Sequence, residues 1–423
     1  MPISPVELLA PAGNLAKLKI ALDYGADAVY AGLGQFSLRN RAAKEFDLES
    51  FKEGVDYTHA RGKKFYATLN AFPFNSQIKL LEEHLKKLAA CQVDALIIAT
   101  IGVLKLAQKI TPHIPIHLST QANVMNVLDA RAFYEMGVKR IVAAREMSLS
   151  DAIQIKEALP DLELEVFVHG SMCFAFSGRC LISALQHGRV PNRGSCANDC
   201  RFDYEVYIKN PDTSVMMRLE EEEEIGTHIL NAKDLNLANH IATILDSKAI
   251  SALKIEGRTK SSYYTAITTK TYRTAIEDYY NNQYRPALYQ AELATLKNRG
   301  FSEGYLIKRP YEKLDTQNFK TAISEGDFQV NGEVLDNGLY FLCKFTTKPN
   351  QPYELVLPFG VSIKPMANEI GKIVQANMEW QVLLHTILLE NGTELEAIHS
   401  GNTNPVKLPI KLPSRTFLRT KLA

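Results

Sequence analysis

Apolar positions in the first 260 residues fall into short runs separated by helical patterns. The runs are 6–10, 28–33, 64–69, 95–99, 115–119, 140–144, 162–168 and 251–255. Each has the length of a strand buried on both faces in a parallel sheet. Between them the spacing turns helical. In 76–92, Ile78, Leu81, Leu85, Leu88 and Ala89 share one face. Segment 47–62 opens on an N-capping aspartate and closes on glycine. Segment 261–282 reads as one long helix rich in Tyr and Thr. Eight strands with intervening helices predict an α/β fold, a TIM-like (β/α)8 barrel. An open doubly wound sheet is the alternative, but the first turn, Pro11-Ala12-Gly13-Asn14, is no dinucleotide fingerprint.

The seventh and eighth runs are too far apart for a simple connection, so 170–249 is read as an insertion. It follows the C-terminal end of a strand, the end at which barrel active sites lie. It holds an expected strand over 204–209 and a glutamate run, 220–224, read as a solvated segment. From residue 326 the texture changes to β: 328–330, 339–347, 353–357, 371–376 and 380–389. Asn331-Gly332, Asn337-Gly338 and Asn391-Gly392 are expected turns. The expected organisation is a barrel over 1–320, enlarged by the insertion, then a small antiparallel β-barrel or sandwich over 326–423.

Charge adds little at first. The 423 residues carry 48 Lys and Arg against 47 Asp and Glu, a formal net charge of +1. That excludes nucleic-acid binding through bulk positive charge but not through a local basic face. The segment 397–423 is one candidate, with Lys407, Lys411, Arg415, Arg419 and Lys421 and no acid. The N-terminus lacks the marks of a secretion signal, and no apolar window is long enough to span a membrane. A cytoplasmic protein is expected. The sequence leaves open a partner chain or a homo-oligomer.

The cysteines change the picture more. Four of the six, Cys173, Cys180, Cys196 and Cys200, are spaced C-x6-C-x15-C-x3-C. Such a cluster argues for a metal rather than for disulfides. Four thiolates complete a tetrahedral zinc site or hold an iron–sulfur cluster. Only Cys196 and Cys200 have the spacing of a zinc knuckle, and Gly170, Gly178, Gly188 and Gly194 let backbone wrap a bulky core. Iron–sulfur is the expectation and zinc the alternative. Cys91 and Cys343 read as core residues. Residues just past the strand ends should line the barrel mouth: Glu7, Asn70, Ser119, Thr120, Gln121, Arg145, Glu146, His169, Lys254, Glu256 and Arg258. Of these, His169, Glu146 and Glu256 are the candidate catalytic groups. Phe36, Phe72 and Phe74 are candidates for stacking on a base. No G-x-S-x-G or H-E-x-x-H motif supports hydrolysis; the one protease-like pairing is Cys173 with His169.

The run Glu165-Val-Phe-Val-His-Gly-Ser-Met-Cys173, continuing through Gly178, Cys180 and Ser183, resembles the signature of the collagenase-type, PrtC-like peptidase family. Ala197-Asn-Asp-Cys200, Glu7-Leu-Leu-Ala-Pro-Ala-Gly13, His117-Leu-Ser-Thr-Gln-Ala-Asn123 and Lys254-Ile-Glu-Gly-Arg258 agree with it. The resemblance covers the whole chain. It implies more than a peptidase label. Members of the YegQ (TrhP) type act in forming 5-hydroxyuridine at the tRNA wobble position, with prephenate required. Related members hydroxylate ribosomal RNA or assist ubiquinone hydroxylation, the latter with a [4Fe-4S] cluster on four cysteines. Cys173, Cys180 and Cys196 match the shared pattern. Cys200 matches the tRNA branch, whereas other relatives place the fourth ligand elsewhere. Prephenate has two carboxylates, and Arg145 and Arg258, then Lys254, are the expected ligands for them. The expectation is therefore an iron–sulfur, prephenate-dependent tRNA hydroxylation enzyme. The competing readings are a protease and a zinc-binding RNA-binding protein without turnover.

Overall fold

The computed structural model describes residues 6–38, 46–173, 175–202, 204–205, 207–209, 211–214, 216–218, 231–308, 318, 326–376 and 379–422. The glutamate run 220–224 lies outside the described residues. The chain forms two compact units. One comprises Met1–Leu22, Ala26–Ala291 and Asn298–Glu325; the other comprises Asp23–Gly25, Glu292–Lys297 and Gly326–Ala423.

In the first unit, β1 (Glu7–Pro11), β2 (Ala28–Ala31), β3 (Lys64–Leu69), β4 (Ala95–Ile98), β5 (Ile116–Leu118), β6 (Arg140–Val142) and β7 (Glu163–Ser171) pair side by side in parallel. A later strand, β11 (Ala252–Ile255), pairs in parallel with both β7 and β1 and closes the ring. This is the eight-stranded barrel that the apolar runs predict. Its helices include α1 (Leu15–Asp23), α2 (Leu48–His59) and α3 (Ile78–Ala90). Asp47 caps α2 in a reciprocal box with Ser50, a device worth about 1 kcal/mol. Cys91 ends α3 and is buried, as is Cys343 in the second unit. No helix among the described residues is long and apolar enough to cross a membrane.

The barrel interior is charged. Arg140 reaches Glu7 at 2.6 Å, Glu163 at 2.6 Å and Glu165 at 3.2 Å. Lys254 reaches the other oxygen of Glu165 at 2.8 Å. The Tyr66 hydroxyl donates to Glu7 at 2.8 Å, and the His117 ring stands edge-on to Tyr66. Burial works against the Arg140 charge, but Glu165 and Glu7 outweigh it and raise its pKa. Glu7 therefore belongs to the barrel floor, at the start of β1, and not to the mouth.

Strand β7 outruns the barrel. Its last residues pair with a short antiparallel strand, β10 (Asp234–Asn236), which β12 (Phe301–Ser302) joins in parallel. The helix α8 (Ile241–Asp246) then leads into β11. Of the stretch 170–249, the last residues are thus the barrel's own return. The inserted part holds α7 (Ile182–His187) and an antiparallel pair, β8 (Tyr207–Lys209) and β9 (Met216–Arg218).

The second unit is an eight-stranded antiparallel sheet that curls as half a barrel. Its strands in spatial order are β16 (Met366–Ala367), β17 (Gly371–Ala376), β18 (Glu379–Leu384), β15 (Pro352–Val356), β22 (Phe417–Lys421), β13 (Phe328–Val334), β14 (Tyr340–Cys343) and β21 (Val406–Lys407). One face buries Phe341, Tyr353, Ile373, Val382 and Leu418. Gly338 and Gly392 turn the chain with positive φ where expected. Asn331-Gly332 does not turn. It lies inside β13, where the register with β22 slips between Val330 and Gly332. A Cβ at Gly332 would fall 2.5 Å from the Phe341 ring, so glycine here serves close packing.

Candidate functional site

Two adjoining cavities open at the C-terminal ends of the barrel strands. The outer one has a volume of about 640 Å³ and is lined by all four clustered cysteines. The inner one has about 110 Å³ and sits over the barrel core. Cys173, Gly178, Leu38 and Arg258 border both.

Local structure explains how distant cysteines meet. Cys173 lies two residues past the end of β7, and Cys180 two residues before the start of α7. Gly188 ends α7 with positive φ, and Gly194 ends the next short turn the same way. Asn198, also with positive φ, starts the turn Asp199–Arg201 that holds Cys200. The Ser183 hydroxyl accepts from the Ala197 amide at 2.9 Å and lies 3.9 Å from the Cys196 sulfur. Buried Asp199 is pinned by His187 at 2.5 Å. Burial pushes the Cys200 thiol up; Arg201 opposes this, and Cys173, Cys196 and Cys180 each add to it, as expected of converging sulfurs.

The donor set is four soft thiolates around one cavity. Such ligands suit either a zinc ion or an iron–sulfur cluster. A separate group of three ligand atoms within 4.8 Å of one another among the described residues, Glu292, Glu354 and Glu379, is all carboxylate.

The inserted segment is fastened over the barrel mouth by loops from several strands. The Phe72 amide donates to the Asn192 carbonyl at 3.1 Å. Asn123 donates to the Ser177 carbonyl at 3.2 Å, and Arg145 donates to the Ser177 hydroxyl at 2.6 Å. Arg258 is buried and donates to Ser37 at 2.7 Å, to Thr68 at 2.9 Å and to the Leu38 carbonyl. Its room comes from glycines. A Cβ at Gly32 would sit 2.9 Å from the guanidinium, and one at Gly13 would sit 2.1 Å from the Arg258 carbonyl oxygen.

Arg145, Lys254, Glu256 and Arg258 all border the inner cavity, as do Asn70, Ser119, Thr120 and Gln121. Gln121 is buried, and its amide nitrogen has no hydrogen-bond partner among the described residues. Lys254 is held by Glu165 and lies over the Tyr30 ring. Arg145 lies over Phe167 with its centre 4.1 Å from the ring. Sequence reasoning missed Asn14 and Lys17, which line the outer cavity from the start of α1. Their signal was the helix-capping asparagine, which accepts from the Lys17 amide at 3.0 Å.

Glu146 and His169 border neither cavity. Burial pushes the Glu146 carboxyl up, against its own backbone amide and Arg145. His169 is enclosed by Phe301 and by Tyr264 and Tyr272 of α9 (Ser262–Tyr280). Burial drives its pKa from 6.5 down to about 3, with Asp234 opposing and Lys260 assisting. A neutral, walled-in imidazole gives no support to a Cys173–His169 couple. It does make stability depend on pH. Below pH 6.5 the unfolded chain takes up a proton that the folded chain refuses. Stability from this group is full above 6.5 and is lost as pH falls toward about 3, by up to about 1.4 kcal/mol per pH unit. His169→Gln should flatten that slope in urea melts between neutral pH and about pH 5. Equal slopes for both proteins would contradict the burial described.

Fold and site together define a TIM-like barrel protein with a cysteine-lined mouth. The chain belongs to peptidase family U32, whose model matches residues 13–316. It is 69% identical over 420 residues, 99% of this chain and 100% of the relative, to the "tRNA hydroxylation protein P" of Helicobacter pylori strain J99. It is 37% identical over 360 residues to the protein of that name in Escherichia coli K12, covering 76% of this chain and 79% of the relative. It is also 30% identical over 320 residues to a protein named "Collagenase" in Porphyromonas gingivalis W83, covering 73% and 75%.

Proposed function

We propose that this chain is a cytoplasmic tRNA hydroxylation enzyme that converts wobble uridine to 5-hydroxyuridine, with a [4Fe-4S] cluster and prephenate as co-substrate. The observation that carries the reading is the gathering of four cysteines around one cavity at the catalytic end of a barrel. The full-length likeness to a protein named for tRNA hydroxylation supports the substrate class. Adding oxygen to a pyrimidine ring is beyond side chains alone and calls for redox chemistry, which the cluster supplies when bound. Cys173, Cys180, Cys196 and Cys200 would hold it.

The chain's own residues bind and orient. Arg145 and Arg258 both border the inner cavity and supply positive charge for carboxylates; Arg258 does so while bonded to Ser37, Thr68 and the Leu38 carbonyl. Gln121 offers an unspent amide donor to an acceptor oxygen. Lys254, already neutralised by Glu165, stiffens the cavity floor. Glu256 provides a carboxylate at the rim. The collagenase reading has less to stand on, because among the described residues no histidine lines either cavity to activate a cysteine. Nucleoside mass spectrometry of bulk tRNA tests the proposal. Deleting the gene should remove 5-hydroxyuridine and nucleosides derived from it; an unchanged nucleoside profile would refute it.

A further inference from the structure

We propose that the cysteine-bearing insertion presents an RNA-gripping collar around the outer cavity, formed by Arg179, Arg189 and Arg193 with Phe74, Phe176 and Phe202. The inference rests on RNA being the substrate and says which surface holds it.

Charge is the first observation. From Cys173 to Phe202 the chain carries four arginines and one acid, Asp199. That acid is buried against His187. Arg179, Arg189 and Arg193 are exposed, and none forms an ion pair among the described residues. A chain with a net charge of +1 thus concentrates exposed cations in the segment that carries its four clustered cysteines. Three exposed guanidinium groups suit phosphate oxygens.

The second observation is aromatic. Phe74, Phe176 and Phe202 are 55%, 46% and 46% exposed. Phe176 lines the outer cavity, and Arg193 stacks over Phe74 at 4.2 Å. Exposed phenyl faces interleaved with arginines match the needs of a splayed single-stranded segment, whose bases stack while its phosphates pair. An acidic polypeptide would use the arginines and leave the rings without partners.

The basic C-terminal tail is weaker on the same criteria. Arg415 pairs with Asp23 and Asp336, and buried Arg419 pairs with Glu292 and Glu354. Only three lysines of its five cations remain outside these pairs.

The test is binding of an unmodified tRNA transcript to the full-length protein over a range of salt. The variants are R179A/R189A/R193A, its lysine counterpart R179K/R189K/R193K, F176A/F202A and the tail triple K407A/K411A/K421A. The collar alanine triple should lose about tenfold or more in affinity, and its salt slope should shallow by about 2 to 3. The lysine triple should keep the slope, and the phenylalanine pair should lose affinity with the slope unchanged. Circular dichroism and iron content should match wild type throughout. Loss in the tail triple with none in the collar would overturn the collar while leaving RNA as substrate. Polyglutamate competing as well as RNA would mark a surface for acidic polypeptides and overturn it. A wild-type protein that binds no tRNA would overturn the substrate reading itself.

Discussion

Replacing Cys196 with alanine is expected to abolish 5-hydroxyuridine formation while leaving the barrel folded. Cys196 lines the outer cavity with the other three cysteines, and its sulfur lies within reach of Ser183 and Asn198. Losing one of four thiolates would open the shell of the proposed cluster, so iron and acid-labile sulfide should both fall. Modification in a deletion strain carrying the variant should drop by at least about a hundredfold, in line with the loss of a redox cofactor. Cys91→Ala and Cys343→Ala are the controls, because both thiols are buried and neither is among the residues that line the cavity. They should retain iron and activity. Full activity in Cys196→Ala would remove the cysteine set from the mechanism.

The largest effect on stability is expected at Arg140. Its side chain is 4% exposed and joins Glu7 and the fully buried Glu165 inside the barrel, and Glu163 at its half-exposed edge. Arg140→Ala leaves Glu7 without its main counter-charge and Glu165 with Lys254 alone. Breaking a buried pair from one side costs about 3–5 kcal/mol, a large share of the roughly 5–15 kcal/mol that hold a domain folded. The urea midpoint should fall sharply. Adding Glu7→Gln should recover part of the loss, because the carboxylate that depends most on Arg140 is then neutral. A shift smaller than about 1 kcal/mol would mean that water reaches the network, as at surface pairs.

Most of the barrel was legible because each strand is a short apolar run and each helix shows its own period. The charged interior was less so. Arg140, Glu165 and Lys254 sit inside runs whose apolar content predicts only burial, and their pairing needs the closed ring. Glu7 therefore reads as a mouth residue although it lines the floor, whereas Lys254 borders the inner cavity as expected and also pairs with Glu165.

His169 misled for a definite reason. Glu163, Glu165 and Phe167 alternate along β7, and simple alternation would put His169 on the same face. The register against β11 slips, however: Lys254 faces Phe167, but Ile255 faces His169. Such a bulge reverses the phase and turns His169 toward α9. Nothing in the local sequence signals it. The strand β10 was missed because Asp-Leu-Asn is too short and polar to register as a run. The cysteine set was legible from its count and spacing, and the fold adds that the four sulfurs share one cavity.

The most direct test of the account is the cofactor itself. Protein purified without oxygen should be brown, absorb broadly in the visible range and contain iron and acid-labile sulfide in equal amounts. Cys173→Ala and Cys200→Ala should each lower both together. A colourless protein carrying one zinc and no sulfide would contradict the central claim.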